Sequence, residues 1–192
     1  MVKVDKKEKI MAVAEKYFAK KRFHEIVLDD IAREARVSKG TIYTYFKDKD
    51  DLFFQIATSG FDELCELVKS QKIENMPYVH QLSRICESIV AFYTRRRQLF
   101  RMMQTEDARM SFCRGNAHKQ WQKKRHQLIK AVSAVLRKGQ LNADLRTDLS
   151  DETLAHFLLG LLRARAKYIQ ENKESITVDS VVDLFLYGAR KI

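Results

Sequence analysis

The sequence predicts an all-α protein of about nine helices, because turn-forming residues are scarce and apolar residues recur at helical spacing. The 192 residues include six glycines and one proline, too few for the many turns of a β-rich chain. Apolar residues make up 45% of the chain, enough to form a folded core. No internal repeat or low-complexity run interrupts this pattern.

Three helical segments are predicted in the N-terminal quarter of the chain. Apolar residues three or four positions apart predict an amphipathic first helix between residues 5 and 20. A second helix, residues 28–35, begins with two aspartates, whose negative charges interact favourably with the helix dipole. Ser38 is a suitable N-cap for a third helix that runs from Lys39 to Phe46. Two short helices joined by a tight turn and preceded by a longer helix indicate a helix-turn-helix.

The third helix has one apolar face and one polar face. Ile42 and Phe46 are one turn apart, and we expect both to face inward with Ile31 and Ala35. The residues that remain carry ammonium, hydroxyl and phenol groups, which bind phosphates and base edges in DNA. The candidate DNA-binding residues are therefore Ser38, Lys39, Gly40, Thr41, Tyr43, Thr44 and Tyr45, with Lys47 and Lys49 in the following turn.

Net charge does not decide whether this segment binds DNA. The whole chain has a formal net charge of +11, which favours an anionic partner. Residues 1–53, however, hold 13 basic and 10 acidic residues, a net of only +3. An ordinary helical hairpin with solvated polar faces therefore remains an alternative at this point.

The run AVAEKYFAKKRFHEIVLDDIAREARVSKGTIYTYFKDKDDLF resembles the DNA-binding domain of the tetracycline-repressor (TetR) family. The matching features are D-I-A, V-S-K-G-T-I-Y, Y-F, K-x-K and D-L-F, in that order and spacing. The resemblance implies that Lys39, Gly40, Thr41, Tyr43 and Tyr45 face DNA. It also implies that Lys49 contacts a phosphate.

Two positions depart from the pattern of the TetR family. Val27 and Leu28 stand where a Thr or Ser usually caps the second helix, and loss of such a cap costs about 1 kcal/mol. Arg36 occupies the turn position that usually holds Gly, where we expect a left-handed backbone. These departures place the expected DNA contacts mainly on the third helix and the start of the fourth.

Helical spacing predicts six further helices downstream. The fourth, fifth and sixth helices are predicted from Asp50 to about Ser70, from Pro77 to Thr94 and from Arg97 to Thr105. A long seventh helix, with a possible break near Gly115, ends at Lys138. The eighth runs from Asp151, after a Ser150 cap, to Gln170, and the ninth starts at Thr177 or Asp179 and ends near Arg190. Gly139 is the predicted C′ residue of the seventh helix. We expect residues 1–50 to form the N-terminal three-helix helix-turn-helix domain and residues 51–192 a C-terminal helical ligand-binding and dimerisation domain.

Residues 95–138 hold 13 basic and two acidic residues, a net of +11. An anionic effector, such as a fatty acyl-CoA thioester, is one explanation, and a solvated helix face is the other. Interleaved apolar residues line either a pocket or an ordinary core. The candidate ligand-binding residues are Phe92, Arg96, Phe100, Met103, Trp121, Phe157 and Arg163.

The eighth and ninth helices have broad apolar faces with small residues such as Gly160 and Gly188. In the TetR family this pair forms a four-helix bundle between subunits. The resemblance therefore implies a homodimer that presents two recognition helices to the half-sites of a palindromic DNA operator.

Other classes of protein find little support in the sequence. No nucleotide, hydrolase or zinc-protease motif is present, and the five histidines are scattered, so we expect no enzyme, no cofactor and no metal site. Cys65, Cys86 and Cys113 form no C-x-x-C and fit a reducing compartment. The apolar run 154–162 is too short to span a bilayer. We expect a cytoplasmic protein that does not bind membranes.

The sequence thus predicts a ligand-responsive transcriptional regulator, most often a repressor in this family, with an unidentified small-molecule effector. The alternative is a DNA-independent helical interaction protein that uses the basic 95–138 face.

Overall fold

A computed structural model describes residues 5–71, 76–110, 115–172 and 176–189, and within them the chain forms nine α-helices and no strand. Cys113 lies outside the described residues. The all-α prediction is confirmed. A short 3-10 turn, Phe23–Glu25, lies between the first two helices. The helices are α1 (Lys6–Lys20), α2 (Leu28–Ala35), α3 (Lys39–Tyr45), α4 (Lys49–Ser70), α5 (Tyr78–Arg95), α6 (Arg97–Met110), α7 (Asn116–Leu141), α8 (Asp151–Asn172) and α9 (Val178–Ala189).

The described residues divide into two compact units, and the divisions fall inside α4 and α7. The first unit spans Met1–Gly60 and Arg96–Trp121, and the second spans Phe61–Arg95 and Gln122–Ile192. The first unit thus combines α1, α2 and α3 with α6. The predicted division into a DNA-binding segment, 1–50, and a ligand-binding and dimerisation segment, 51–192, stays a prediction.

In the first unit, α1 packs against α2, α3 and α6. Ile10, Ile31, Ile42 and Leu52 are completely buried where these helices meet. Burying such side chains contributes about 1.5–3 kcal/mol each, so this apolar core fixes the position of the short α3. In the second unit, α5 packs against α8 and α9, and α8 packs against α9.

Two predicted helix ends are wrong. The sixth helix continues beyond residue 105 to Met110, because Glu106 is buried and bound by Arg109 one turn later. Gly139 does not end the seventh helix, which continues to Leu141. A Cβ atom at Gly139 would lie 2.3 Å from Cζ of Tyr78, so this glycine allows the tyrosine ring to pack against the helix.

No helix in the described ranges is both long and apolar enough to cross a membrane.

Candidate nucleic-acid interface

The N-terminus of α3 is held by the predicted Ser38 cap. The Thr41 backbone N–H donates to Ser38 Oγ at 3.1 Å, and the two hydroxyl oxygens are 2.8 Å apart. The capping prediction is confirmed, and it satisfies one of the backbone N–H groups that an α-helix leaves unpaired at its start.

The buried seam of α3 is also as predicted. Ile42 and Phe46 are 0% and 1% exposed, and Ile31 and Ala35 of α2 are buried as well. Tyr43 is 50% exposed, and Lys39, Gly40 and Thr44 are exposed beside it. Thr41 and Tyr45 are half-buried. The polar face of α3 is therefore open to solvent, as a recognition helix requires.

Two of these polar groups already have partners within the chain. Lys39 Nζ lies 2.8 Å from Asp29 Oδ1 at the start of α2, and the hydrogen bond with Asp29 raises the pKa of Lys39. Thr44 Oγ1 donates to the Gly40 carbonyl at 3.0 Å, which leaves the threonine oxygen as an acceptor. Nothing in the sequence pattern indicated that Asp29, ten residues upstream, is the partner of Lys39.

Lys49, the first residue of α4, is bound to the segment that precedes α2. Its Nζ donates to the carbonyls of Phe23 at 2.6 Å and Ile26 at 2.8 Å, and lies 4.5 Å from the centre of the Phe23 ring. An ammonium group has three N–H donors, so one remains for a phosphate oxygen. The structure thus gives Lys49 a structural contact that sequence reasoning missed, because it spans 23 residues or more.

The turn between α3 and α4 is closed by two backbone-to-side-chain hydrogen bonds that both involve Asp51. The Asp51 N–H donates to Asp48 Oδ1 at 2.8 Å, and the Lys47 N–H donates to Asp51 Oδ2 at 2.9 Å. This arrangement resembles a capping box and fixes the start of α4. The Lys47 side chain is exposed beside it.

Both departures from the TetR pattern are visible in the backbone. Arg36 has φ 53° and ψ 48°, the left-handed conformation that we expected at this turn. The N–H of Val37 donates to the Ala32 carbonyl at 3.0 Å and closes the end of α2. Val27 is the N-cap of α2 and makes no side-chain cap hydrogen bond.

The seven candidate ligand-binding residues are divided between the two units. Phe100, Met103 and Trp121 are buried in the first unit, where Arg96 binds Glu15 at 3.0 Å. In the second unit, Phe92 is buried, Arg163 is half-buried and Phe157 is 58% exposed. Their role in ligand binding stays a prediction.

The basic stretch 95–138 is less uniform in the structure than in the sequence. Several of its cations lie within 4 Å of a carboxylate, namely Arg95, Arg96, Arg109, Lys124 and Arg137. Its residues are also shared between the two units. The positive charge of the stretch is therefore partly balanced by carboxylates within each unit.

The two cysteines that the structure describes, Cys65 and Cys86, are buried. Burial raises the pKa of the Cys86 thiol to about 12. Because the thiolate is the reactive form, this thiol is unreactive near neutral pH. In the described part of the chain, no cluster of three or more His, Cys, Asp or Glu side chains forms a candidate metal site.

A short helix with an exposed polar face, held across a left-handed turn, defines a helix-turn-helix protein. Residues 10–56 match the family model of bacterial regulatory proteins, tetR family. An uncharacterized HTH-type transcriptional regulator of Haemophilus influenzae is 25% identical over 189 residues, which cover 94% of each chain. The HTH-type transcriptional regulator HbdR of an Aromatoleum species is 33% identical over 46% of this chain and 37% of its own. Residues 10–56 thus carry a DNA-binding domain of the tetR family, and the chain is similar along its length to an HTH-type transcriptional regulator.

Solved structures share the fold of this chain. The fatty acid degradation regulator FadR from Bacillus halodurans has a TM-score of 0.80 at 18% identity and covers 97% of each chain. The transcriptional regulator FadR from Bacillus subtilis, solved in complex with stearoyl-CoA, has a TM-score of 0.78 at 17% identity. That likeness covers 95% of this chain and 99% of FadR. The match of residues 10–56 to a family of bacterial regulatory proteins favours DNA binding over the alternative of a DNA-independent interaction protein.

Proposed function

We propose that the protein is a ligand-responsive repressor that binds a palindromic DNA operator as a homodimer. A small molecule with an anionic portion and an apolar chain, such as an acyl-CoA thioester, releases the protein from the operator. The observation that carries this proposal is the polar face of α3, where Tyr43 and Lys39 are exposed above the buried seam of Ile42 and Phe46. The proposed DNA contacts are those of Ser38, Lys39, Gly40, Thr41, Tyr43, Thr44, Tyr45, Lys47 and Lys49.

An exposed apolar face on α8 and α9 supports the homodimer. Phe157, Leu184 and Tyr187 are 58%, 64% and 85% exposed. A groove of about 520 Å³ lies among Phe157, Leu184 and the two glycines Gly160 and Gly188. Apolar patches rimmed by polar residues mark association surfaces, and a two-fold axis would bring two identical patches together.

A groove in the second unit supports an anionic effector. It measures about 730 Å³ and lies between α4, α5 and α7, with Val68, Ile85 and Val135 among its apolar walls. Lys130 and Lys138 line it and have no carboxylate partner among the described residues. Unpaired ammonium groups beside apolar walls are suited to a ligand with phosphates and a hydrocarbon chain. The stearoyl-CoA bound by the FadR of Bacillus subtilis is a ligand of this chemistry.

Operator binding is tested with the DNA upstream of the protein's own gene, by fluorescence anisotropy at several salt concentrations. We expect a salt-sensitive, sequence-preferring complex. Tyr43→Ala weakens it about tenfold or more, since a base-edge contact contributes roughly 1–3 kcal/mol. Tyr43→Phe, which keeps the ring, separates the contribution of the hydroxyl. Unchanged binding by Tyr43→Ala would contradict the assignment of α3.

Release by the effector is tested with stearoyl-CoA, and coenzyme A alone serves as the ligand control. We expect stearoyl-CoA to dissociate the DNA complex of the unmodified protein. The double variant Lys130→Gln with Lys138→Gln needs about tenfold more ligand, because it lacks the two cations. Lys119→Gln with Lys123→Gln is the charge-matched control on the exposed surface of α7. No release, or equal release from both double variants, argues against this effector groove.

A further inference from the structure

The first unit contains a groove of its own, apart from the groove assigned to the effector. It lies between α1, the 3-10 turn, α4 and α6, and all of its lining residues belong to the first unit. Its volume is about 340 Å³, which is within the range of small-molecule sites.

One wall of the groove is a cluster of three aromatic rings. Phe18 stacks on Phe23 with ring centres 5.7 Å apart, and Phe53 meets both rings edge-on at 4.9 and 5.8 Å. Met102, which is 4% exposed, also lines the groove. These side chains form an apolar surface suited to a flat ring.

The two acidic groups in the groove share one arginine. Glu106 is 1% exposed, and Arg109 donates to it through Nε at 3.0 Å and through Nη2 at 2.6 Å. Arg109 Nη1 also donates to Asp50 Oδ1 at 3.3 Å. One guanidinium thus serves two carboxylates, so the three groups together keep a net charge of −1, and their hydrogen bonds to Arg109 occupy the acidic end of the groove.

Arg101 and Gln98 stand on the same face of α6, three residues apart, and both line the groove. Both side chains are exposed, and neither has a hydrogen-bond or ion-pair partner in the part of the chain that the structure describes. A guanidinium and an amide N–H₂ on adjacent turns provide donors for a carboxylate.

We propose that this groove binds an aromatic carboxylate. The ring lies against Phe18, Phe23 and Phe53, and the carboxylate accepts hydrogen bonds from Arg101 and Gln98. The charge complementarity is local: Arg101 is a cation without a partner among the described residues, while the four charged groups that line the groove sum to zero. The groove is distinct from the proposed effector groove, whose lining residues belong to the second unit.

The test is isothermal titration calorimetry of the full chain, without DNA, with 2-naphthoate as the probe and 2-naphthalenemethanol as its neutral counterpart. We expect naphthoate to bind about tenfold more tightly than the alcohol, because hydrogen bonds to a charged group contribute more than those to a neutral hydroxyl. Arg101→Gln lowers naphthoate affinity about tenfold and leaves alcohol affinity unchanged. Phe53→Leu weakens both ligands, because it removes the aromatic surface.

Arg97→Gln is the matched control, because Arg97 is an exposed arginine one turn earlier on α6 that does not line the groove. It keeps naphthoate affinity within about twofold. Equal affinity for acid and alcohol, unchanged binding by Arg101→Gln, or no binding of naphthoate up to its solubility limit would overturn the proposal. Because no DNA is present, these outcomes are distinguishable from a failure of operator binding.

Discussion

At the scale of single residues, Lys39 has two alternative partners, Asp29 and a DNA phosphate. In the free protein it is paired with Asp29 at 2.8 Å, and both side chains are more than half exposed. Exposed ion pairs contribute little to stability. The same ammonium is a proposed phosphate contact, so DNA and Asp29 compete for it.

Asp29→Asn therefore strengthens operator binding, because Lys39 is then free for a phosphate. We expect about two- to fivefold higher affinity and a steeper dependence on salt, since one more cation is available to displace counterions. Anisotropy titrations at several salt concentrations measure both. Asp30→Asn is the control: it makes the same change of charge in the same helical turn, but Asp30 is paired with Arg33. Equal effects of the two variants would show that the Lys39–Asp29 ion pair does not affect operator binding.

Lys49 illustrates a residue with two roles. Its hydrogen bonds to the Phe23 and Ile26 carbonyls tie α4 to the segment before α2, while one N–H remains for DNA. The resemblance to TetR proteins indicated only the phosphate contact. A loss of DNA binding by variants at this position thus combines a direct effect with a structural one.

Lys49→Met isolates the structural role, because methionine keeps the aliphatic stem and removes the donors. We expect the free energy of unfolding to fall by about 1 kcal/mol, the lower end for hydrogen bonds to a charged group at a partly exposed site. Urea denaturation without DNA measures this change. Lys47→Met is the comparison, because its ammonium has no partner within the described ranges, and its stability stays unchanged. Equal stability of both variants would mean that the two carbonyl contacts contribute nothing.

At the scale of elements, the turn between α2 and α3 stores backbone strain. Arg36 adopts the left-handed conformation without the freedom of glycine. Its guanidinium is exposed beside the candidate DNA surface, so the residue adds a cation at the expense of conformational energy.

Comparison of Arg36→Gly with Arg36→Ala separates these two effects. Both variants lose the cation, but only glycine relieves the strain, so Gly is more stable than Ala by roughly 0.5–1 kcal/mol in urea denaturation. Both bind the operator more weakly than the unmodified protein and with a shallower salt dependence. If Ala is as stable as Gly, the left-handed turn carries no strain.

The elements also show what local sequence patterns can predict. Ser38, Ile42 and Phe46 were predictable because a cap and a buried seam depend on neighbours within one or two turns. Gly139 was wrongly predicted to end α7, because the residue that requires a glycine there is Tyr78, far away in sequence. The local sequence pattern does not distinguish a glycine at a close contact from one that ends a helix. The contacts of Lys39 and Lys49 were missed for the same reason. Long-range pairs leave no periodic signal.

At the scale of the whole molecule, the exposed side chains of α8 and α9 determine the proposed assembly. Leu184→Lys places a charge in the apolar patch, and burying an unpaired charge costs several kcal/mol. We therefore expect the dimer to dissociate, which analytical ultracentrifugation detects as halved mass. Operator affinity falls with it, because the two half-sites are no longer bound together.

Leu141→Lys is the control for this prediction, because Leu141 is 80% exposed at the end of α7, outside α8 and α9. It keeps the mass of the unmodified protein. If both variants sediment alike, the dimer face lies elsewhere or the protein is a monomer.

Trp121 provides a spectroscopic consequence of the division into two units. It is the chain's single tryptophan, fully buried in the first unit, with its indole N–H bound to Asp107 at 3.0 Å. Its fluorescence therefore reports loss of structure around the indole, while far-ultraviolet circular dichroism follows the helices of both units. Coincident melting curves from the two signals would mean that the units unfold together, and separate curves would mean that each has its own transition. One buried indole thus makes the unfolding of the first unit distinguishable from that of the whole chain without a label.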